Sequence, residues 1–150
     1  MSRLSIAPIL FAGLMVCGIG MGCSGKKSGP EQKPVYKVTG SITVDGNIPD
    51  PPIQIECHST DSLKDPDRTF SSAQSKKDGT FALETYQEGD GIPDGDYSLT
   101  FSWRKFDLIR RQNSDIDLLK NRYADPLKSE IKFTVDMKPT DLGEIPLRTK

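Results

Sequence analysis

Several turns rich in aspartate and glycine separate segments that have the pattern of strands. The turns lie at Asp45–Asn47, Lys77–Thr80 and Glu88–Asp96, and aspartate and glycine suit the tight turns that join neighbouring strands. In several of the intervening segments apolar and polar residues alternate, which is typical of strands buried on one face. The spacing therefore predicts an all-β domain.

Seven segments have the strand pattern, and it is clearest where apolar residues alternate with serine and threonine from Tyr97 to Trp103. A change of phase at Thr39–Gly40 predicts a bulge or a close approach of two backbones. The seven predicted strands are residues 35–44, 53–58, 68–75, 80–85, 97–103, 131–135 and 142–147. The third and fourth are expected to form a hairpin. Such a series predicts a seven-stranded antiparallel β-sandwich.

One segment has a different period. Ser114–Asp117 resembles a helix N-cap with an acidic residue three positions on, and Ile116, Leu119 and Tyr123 follow at helical spacing. We expect a short helix over Asp115–Tyr123, inserted before the last two strands.

The first 22 residues have the features of a secretory signal peptide. Arg3 precedes an uncharged run from Leu4 to Gly22 that ends in small residues. The run could nearly span a bilayer, but its glycines make a weak transmembrane helix. Gly22–Cys23 resembles a bacterial lipobox, in which a small residue precedes a cysteine that becomes linked to diacylglycerol. Cys17 is the alternative, although Val16 is a poor residue before the cleavage point.

Lipidation at Cys23 predicts three parts. Residues 1–22 are the signal peptide, residues 23–34 are the lipidated cysteine with a flexible linker that has no large apolar side chain, and residues 35–150 are the domain. Several acyl chains anchor a protein stably. We therefore expect an exported protein tethered to the cell membrane or outer membrane, with its domain in the periplasm or at the cell surface.

Charge limits the kinds of partner that the protein can bind, and cysteine content limits its disulfides. The chain has 20 basic and 21 acidic residues, and this near-balance predicts no binding to nucleic acid. Cys57 is the remaining cysteine of the domain, so no internal disulfide is expected. We expect no cofactor.

Three motifs together resemble a known family: Val38–Pro49, Asp78–Leu83 with Asp90–Tyr97, and Asn121–Pro126 before the strand at 131–135. They are similar to the small lipoproteins of planctomycete-type bacteria that carry a carboxypeptidase-regulatory-like or transthyretin-like domain. The resemblance implies a prealbumin-like Greek-key sandwich. It implies no enzyme, because in carboxypeptidases this module lacks the zinc site.

The residues themselves also argue against catalysis. His58 is the single histidine, and there is no G-x-S-x-G nucleophile motif. Cys57 and His58 are neighbours in a predicted strand, so their side chains point to opposite faces and cannot easily share one metal. We expect no catalytic or zinc site.

Two groups of residues are candidate binding sites. Asp90, Asp94 and Asp96 could offer oxygen ligands to calcium, although aspartate and glycine are also what tight turns require. A mixed aromatic and basic group is typical of interfaces, or else Trp103 is part of the core and its basic neighbours are solvated. This second group consists of Trp103, Arg104, Lys105, Arg110 and Arg111.

The sequence therefore predicts a membrane-tethered, non-enzymatic structural or interaction module that binds an envelope protein or carbohydrate. The alternative is an envelope lipoprotein that binds a small ligand or calcium.

Replacing Cys23 by serine removes the thiol that carries the lipid. We expect the Cys23→Ser protein to leave the membrane fraction, which cell fractionation and immunoblotting measure. Retention of this variant in the membrane would contradict the lipid anchor.

Overall fold

The computed structural model of the protein describes residues 32–61 and 69–150. The predicted signal peptide, Cys23 and the linker up to residue 31 lie outside the described residues. The described part contains nine strands and no helix. These residues therefore include no helix long and apolar enough to cross a membrane. The strands are β1 (Val38–Val44), β2 (Gln54–Ser59), β3 (Ser71–Gln74), β4 (Thr80–Ala82), β5 (Gly95–Ser102), β6 (Arg104–Asp107), β7 (Gln112–Asp117), β8 (Lys132–Val135) and β9 (Thr140–Leu147).

Two sheets share one apolar core. One sheet has the order β4-β1-β9 and the other the order β3-β2-β5-β8. Alternate residues of each strand point inward and form a single cluster, as the alternating pattern predicted. The fold is all-β and consistent with a β-sandwich. The fully buried large side chains are Phe101, Ile42, Ile53, Ile55, Leu83, Ile92, Leu99, Leu119, Leu147, Val38 and Val135.

The central strand β5 is buried on both faces. Leu99 and Phe101 point into the core, and Ser98 and Thr100 on the opposite face are also almost inaccessible to solvent. This second face is buried because β5 lies between β2 and β8, which flank its small side chains.

The expectation of a purely antiparallel sandwich is wrong at one strand pair. β1 pairs with β9 in parallel, from Val38 opposite Thr140 to Val44 opposite Leu147. The register shifts opposite Gly40, where Gly143 adds a residue to β9. A β-carbon on Gly40 would lie 2.8 Å from the ring of Phe81 and 3.2 Å from the carbonyl oxygen of Gly143. The strand is thus irregular at the predicted position, with the extra residue in its partner β9.

The predicted hairpin of the third and fourth strands is also wrong. β3 pairs with β2 and β4 pairs with β1, so the turn between them carries the chain from one sheet to the other. The two segments are linked by the turn, in which the amide of Lys76 donates to the carbonyl oxygen of Thr80 at 2.7 Å, and by an isolated bridge between Ser72 and Glu84, which follows β4. The cause is that Ala73 and Phe81 pack into the core from different sheets.

The strand count and the helix need correction as well. The structure has nine strands in its described part instead of seven, because β6 and β7 form a hairpin where none was predicted. The helix predicted over Asp115–Tyr123 is absent: β7 covers its start, and Lys120 and Asn121 adopt positive φ angles of 56° and 57° that end any helix. Of the residues at helical spacing, Leu119 is buried and Ile116 is exposed.

Gly91 sits where two backbones come very close. Tyr36 and Ile92 exchange backbone hydrogen bonds of 2.8 and 3.0 Å, and these tie the segment before β1 to the loop before β5. A β-carbon at Gly91 would lie 2.0 Å from the carbonyl oxygen of Tyr36, and its φ of 105° disfavours any other residue.

We expect Gly91→Ala to lower the free energy of unfolding by about 3–5 kcal/mol, because strain and a backbone clash combine. Gly46→Ala is the matched control: its φ is also positive, at 80°, but nothing lies within 4 Å of the added carbon. The control should lose only about 1 kcal/mol. Urea unfolding measures both, and equal losses would contradict the close approach.

Candidate interaction surface

Strands β6 and β7 form a separate two-stranded hairpin, residues 104–117, which we call the arm. Four large apolar side chains of the arm are exposed to solvent: Phe106 is 56% exposed, Ile116 71%, Leu108 82% and Ile109 95%. Grouped exposed apolar side chains mark surfaces that contact another molecule. The arm is therefore the candidate interaction surface.

Trp103 joins the arm to the core. Its half-buried ring packs against the core cluster, and its indole N–H donates a 2.7 Å hydrogen bond to the carbonyl oxygen of Pro51. Its own carbonyl oxygen accepts a 2.8 Å bond from the amide of Leu118. Trp103 thus lies at the base of the arm and not in its exposed part.

Asp117 fixes the base of the arm from the other strand. Its carboxylate is buried and accepts three backbone hydrogen bonds, from Trp103 at 2.9 Å, Leu119 at 3.1 Å and Asn121 at 2.9 Å. Hydrogen bonds to a charged acceptor are stronger than neutral ones. Since an isolated two-stranded hairpin is marginally stable in water, this carboxylate determines where the arm points.

A second aspartate fixes the tip. Asp107 Oδ1 accepts hydrogen bonds from the amides of Ile109 at 2.8 Å and Arg110 at 3.1 Å. Arg111 closes the four-residue turn with a φ of 54°. The turn therefore has a defined backbone that presents Leu108 and Ile109 to solvent.

The tip is also basic. Arg110 and Arg111 are exposed in the turn, and Arg110 Nε lies 3.8 Å from Asp107 Oδ2. Lys105 is exposed further back in β6, and the exposed Asp115 of β7 lies beside Asp107 and Arg110. At the base, the Nε of Arg104 is buried and has no hydrogen-bond partner within residues 32–61 and 69–150. Nothing in the structure explains that unpaired donor.

The structure brings together part of the predicted patch. Arg110 and Arg111 lie together in the turn at the tip, whereas Trp103, Arg104 and Lys105 lie at or near the base. The sequence analysis missed the exposed apolar residues, of which Leu108 and Ile109 are the most accessible. The available signal was two adjacent aliphatic residues enclosed by charged ones, with no alternation to bury them.

His58 lies on the outer face of β2. Its Nε2 is 2.8 Å from the hydroxyl of Thr100 and 3.7 Å from a carboxylate oxygen of Glu56, which is exposed. In a hydrolase triad the carboxylate holds the opposite ring nitrogen, Nδ1. Cys57 points the other way into the core, where burial raises the pKa of its thiol to about 12.

Of the aspartates of the predicted calcium alternative, Asp90 and Asp96 have separate roles in a turn and in strand pairing, and Asp94 is exposed. Asp90 accepts backbone hydrogen bonds from Thr85, Tyr86 and Gln87 at 2.8 to 3.0 Å, and Asp96 accepts one from the hydroxyl of Thr134. No group of three or more metal-binding side chains comes together in the described part of the chain.

Two depressions lie on the outside of the domain. A wide one of about 1100 Å³ runs along β3, β4 and the turn after them, and its lining includes Phe70, Glu84 and Tyr86. A smaller one of about 430 Å³ lies beside Gly40 and Gly143. Most side chains lining the first are polar or charged, and none of them belongs to the core cluster. A third depression, of about 140 Å³, lies on the arm.

Comparison with known proteins gives no relative that identifies the chain. No protein-family model and no curated protein matches the sequence. One solved structure, a 9R-lipoxygenase from Cyanothece PCC8801, is similar over 80% of this chain at 14% identity, with a TM-score of 0.38. The match spans 18% of the lipoxygenase chain, and a likeness this low supports no inference about fold or activity.

Asp117→Ala would remove the acceptor of three amides at the base of the arm. We expect a loss of about 3 kcal/mol in the free energy of unfolding. Asp115→Ala, in the same strand but exposed, should change it by less than about 0.5 kcal/mol. Urea unfolding followed by the fluorescence of Trp103, the single tryptophan, compares the two. Equal effects would show that Asp117 does not hold the arm.

Proposed function

We propose that the protein is an exported, membrane-tethered lipoprotein of the cell envelope, and that its domain is a non-enzymatic interaction module which binds through the arm. The observation that carries the proposal is the fixed turn at the tip, which exposes Leu108 and Ile109 almost completely. Such exposure costs free energy in water and is retained where another molecule covers the surface.

The tether is supported by the sequence alone. Arg3, the uncharged run to Gly22 and the adjacent Cys23 have the features of a lipoprotein signal, and residues 24–34 suit a spacer. We propose that the domain faces the periplasm or the cell exterior. We further propose that the sandwich is of the transthyretin-like, Greek-key type that the turn motifs resemble.

The non-enzymatic part is supported by the surroundings of His58. Glu56 and Thr100 both approach the same ring nitrogen, so Glu56 does not orient the ring as a triad carboxylate does. His58 lines none of the three depressions described above. A hydrolytic site needs a base, an orienting group and a place for substrate, and this arrangement around His58 in the described residues therefore favours a non-enzymatic module.

A ligand-binding lipoprotein is the second candidate, and the depression of about 1100 Å³ beside β3 and β4 favours it. Small-molecule sites are usually concave and mostly apolar. Because this depression is lined mainly by polar side chains and lies outside the apolar core, we favour the interaction module.

Photocrosslinking in living cells tests the proposal. The photoreactive residue p-benzoylphenylalanine is placed at Ile109 and, as the control, at Met137, which is exposed and apolar but lies beyond the opposite end of β5. We expect membrane-associated adducts from position 109 and none from position 137, detected by gel shift and mass spectrometry. Equal yields at the two positions, or neither a protein adduct nor a lipid adduct from position 109, would contradict a role for the arm.

A further inference from the structure

We propose that the tip of the arm inserts into the interface of a bilayer that contains anionic phospholipids, as a second membrane contact besides the lipid anchor. This inference rests on the proposed function and names the molecule that the arm binds.

The shape of the tip favours a bilayer over a protein. Leu108 and Ile109 are adjacent residues on a projecting turn, 82% and 95% exposed. Two aliphatic side chains bury far less than the roughly 1,000 Å² that a specific protein interface needs. Two side chains of this size suit insertion into the apolar part of a bilayer, which needs no complementary surface.

The exposed apolar side chains of the arm lie at two depths, and these depths match the layers of a membrane interface. Phe106 is two residues before Leu108 and is 56% exposed, so it lies about 6–7 Å further back at the rise of an extended chain. Interfacial segments sink about 5–10 Å into the boundary between headgroups and acyl chains. Leu108 and Ile109 would reach that depth while the ring of Phe106 stays near the headgroups.

The charges at the tip fit anionic lipid. Arg110 and Arg111 are exposed cations that directly follow the apolar pair, while Asp107, held 3.8 Å from Arg110, and the exposed Asp115 of β7 are the nearby anions. Basic residues near an anionic leaflet are attracted within a Debye length. The carboxylate of Asp107 is turned toward the turn backbone and toward Arg110, which reduces its repulsion from phosphate.

The backbone of the turn can also enter an environment of low polarity, because two of its amides already have hydrogen-bond acceptors. The amides of Ile109 and Arg110 both donate to Asp107 Oδ1. Amides that leave water without a partner cost several kcal/mol each. With these two amides paired, the turn can approach the acyl chains without exposing them.

A fluorescent label on the mature lipoprotein tests the inference. Leu108→Cys is labelled with the environment-sensitive dye NBD, and Met137→Cys is the control, an exposed apolar residue beyond the opposite end of β5. Cys57 should not compete for the label, because it is buried and its thiol has a raised pKa of about 12. The protein is reconstituted into phosphatidylcholine vesicles with and without phosphatidylglycerol.

We expect the label at position 108 to shift its emission to the blue and to brighten in the anionic vesicles, with quenching by nitroxide lipids of shallow depth. The response should weaken in high salt and be lost in Arg110→Glu/Arg111→Glu. The same change of charge in Lys76→Glu/Lys77→Glu should leave it intact. The fluorescence of Trp103 checks that each variant is folded.

A label at position 108 that stays as exposed to water as the one at position 137 would overturn the inference. If position 109 still gives protein adducts in cells, the interaction module stands and only the lipid partner is wrong. If the label at position 108 reports no insertion and the photoreactive residue at position 109 gives no adduct, the proposed function fails as well.

Discussion

The buried carboxylate of Asp117 is the interaction on which the arm depends. The two large sheets are held by a continuous apolar core, but no residue of β6 or β7 belongs to it, and only their neighbours Trp103 and Leu119 contact it. Three amides converge on Asp117 instead, from the strand that enters the arm and the turn that leaves it. Together with the ring of Trp103 and its bond to Pro51, this carboxylate converts a marginal hairpin into a fixed projection.

The same chemistry recurs at the tip, where Asp107 holds the turn. Because an aspartate holds each end of the arm, the residues between them do not need to be buried to keep the conformation of the arm. Apolar side chains can then be exposed without weakening the fold, because the sandwich core lies elsewhere and is already complete. The proposed interaction module requires a stable domain and a separate exposed binding surface, and the sandwich and the arm have this arrangement.

The sandwich strands could be predicted from sequence because their alternation reflects burial. From Tyr97 to Phe101 each inward residue is apolar, and the pattern alone places it. The parallel pairing of β1 with β9 could not be predicted, because it joins distant parts of the chain. The arm was missed because Arg104–Asp107 and Gln112–Asp117 do not alternate. The helix was predicted wrongly because Ser114 is a residue of β7, where its hydroxyl oxygen accepts a hydrogen bond from the amide of Ile116 at 3.2 Å and does not cap a helix.

Amide hydrogen exchange of the full chain, resolved by residue with NMR, tests the central claim that the arm is a fixed structure. The account predicts slow exchange at Trp103, Leu119 and Asn121, which donate to Asp117, and measurable protection at Ile109 and Arg110, which donate to Asp107. Exchange at all five amides as fast as in an unstructured peptide, while the strands of the sandwich stay protected, would contradict it.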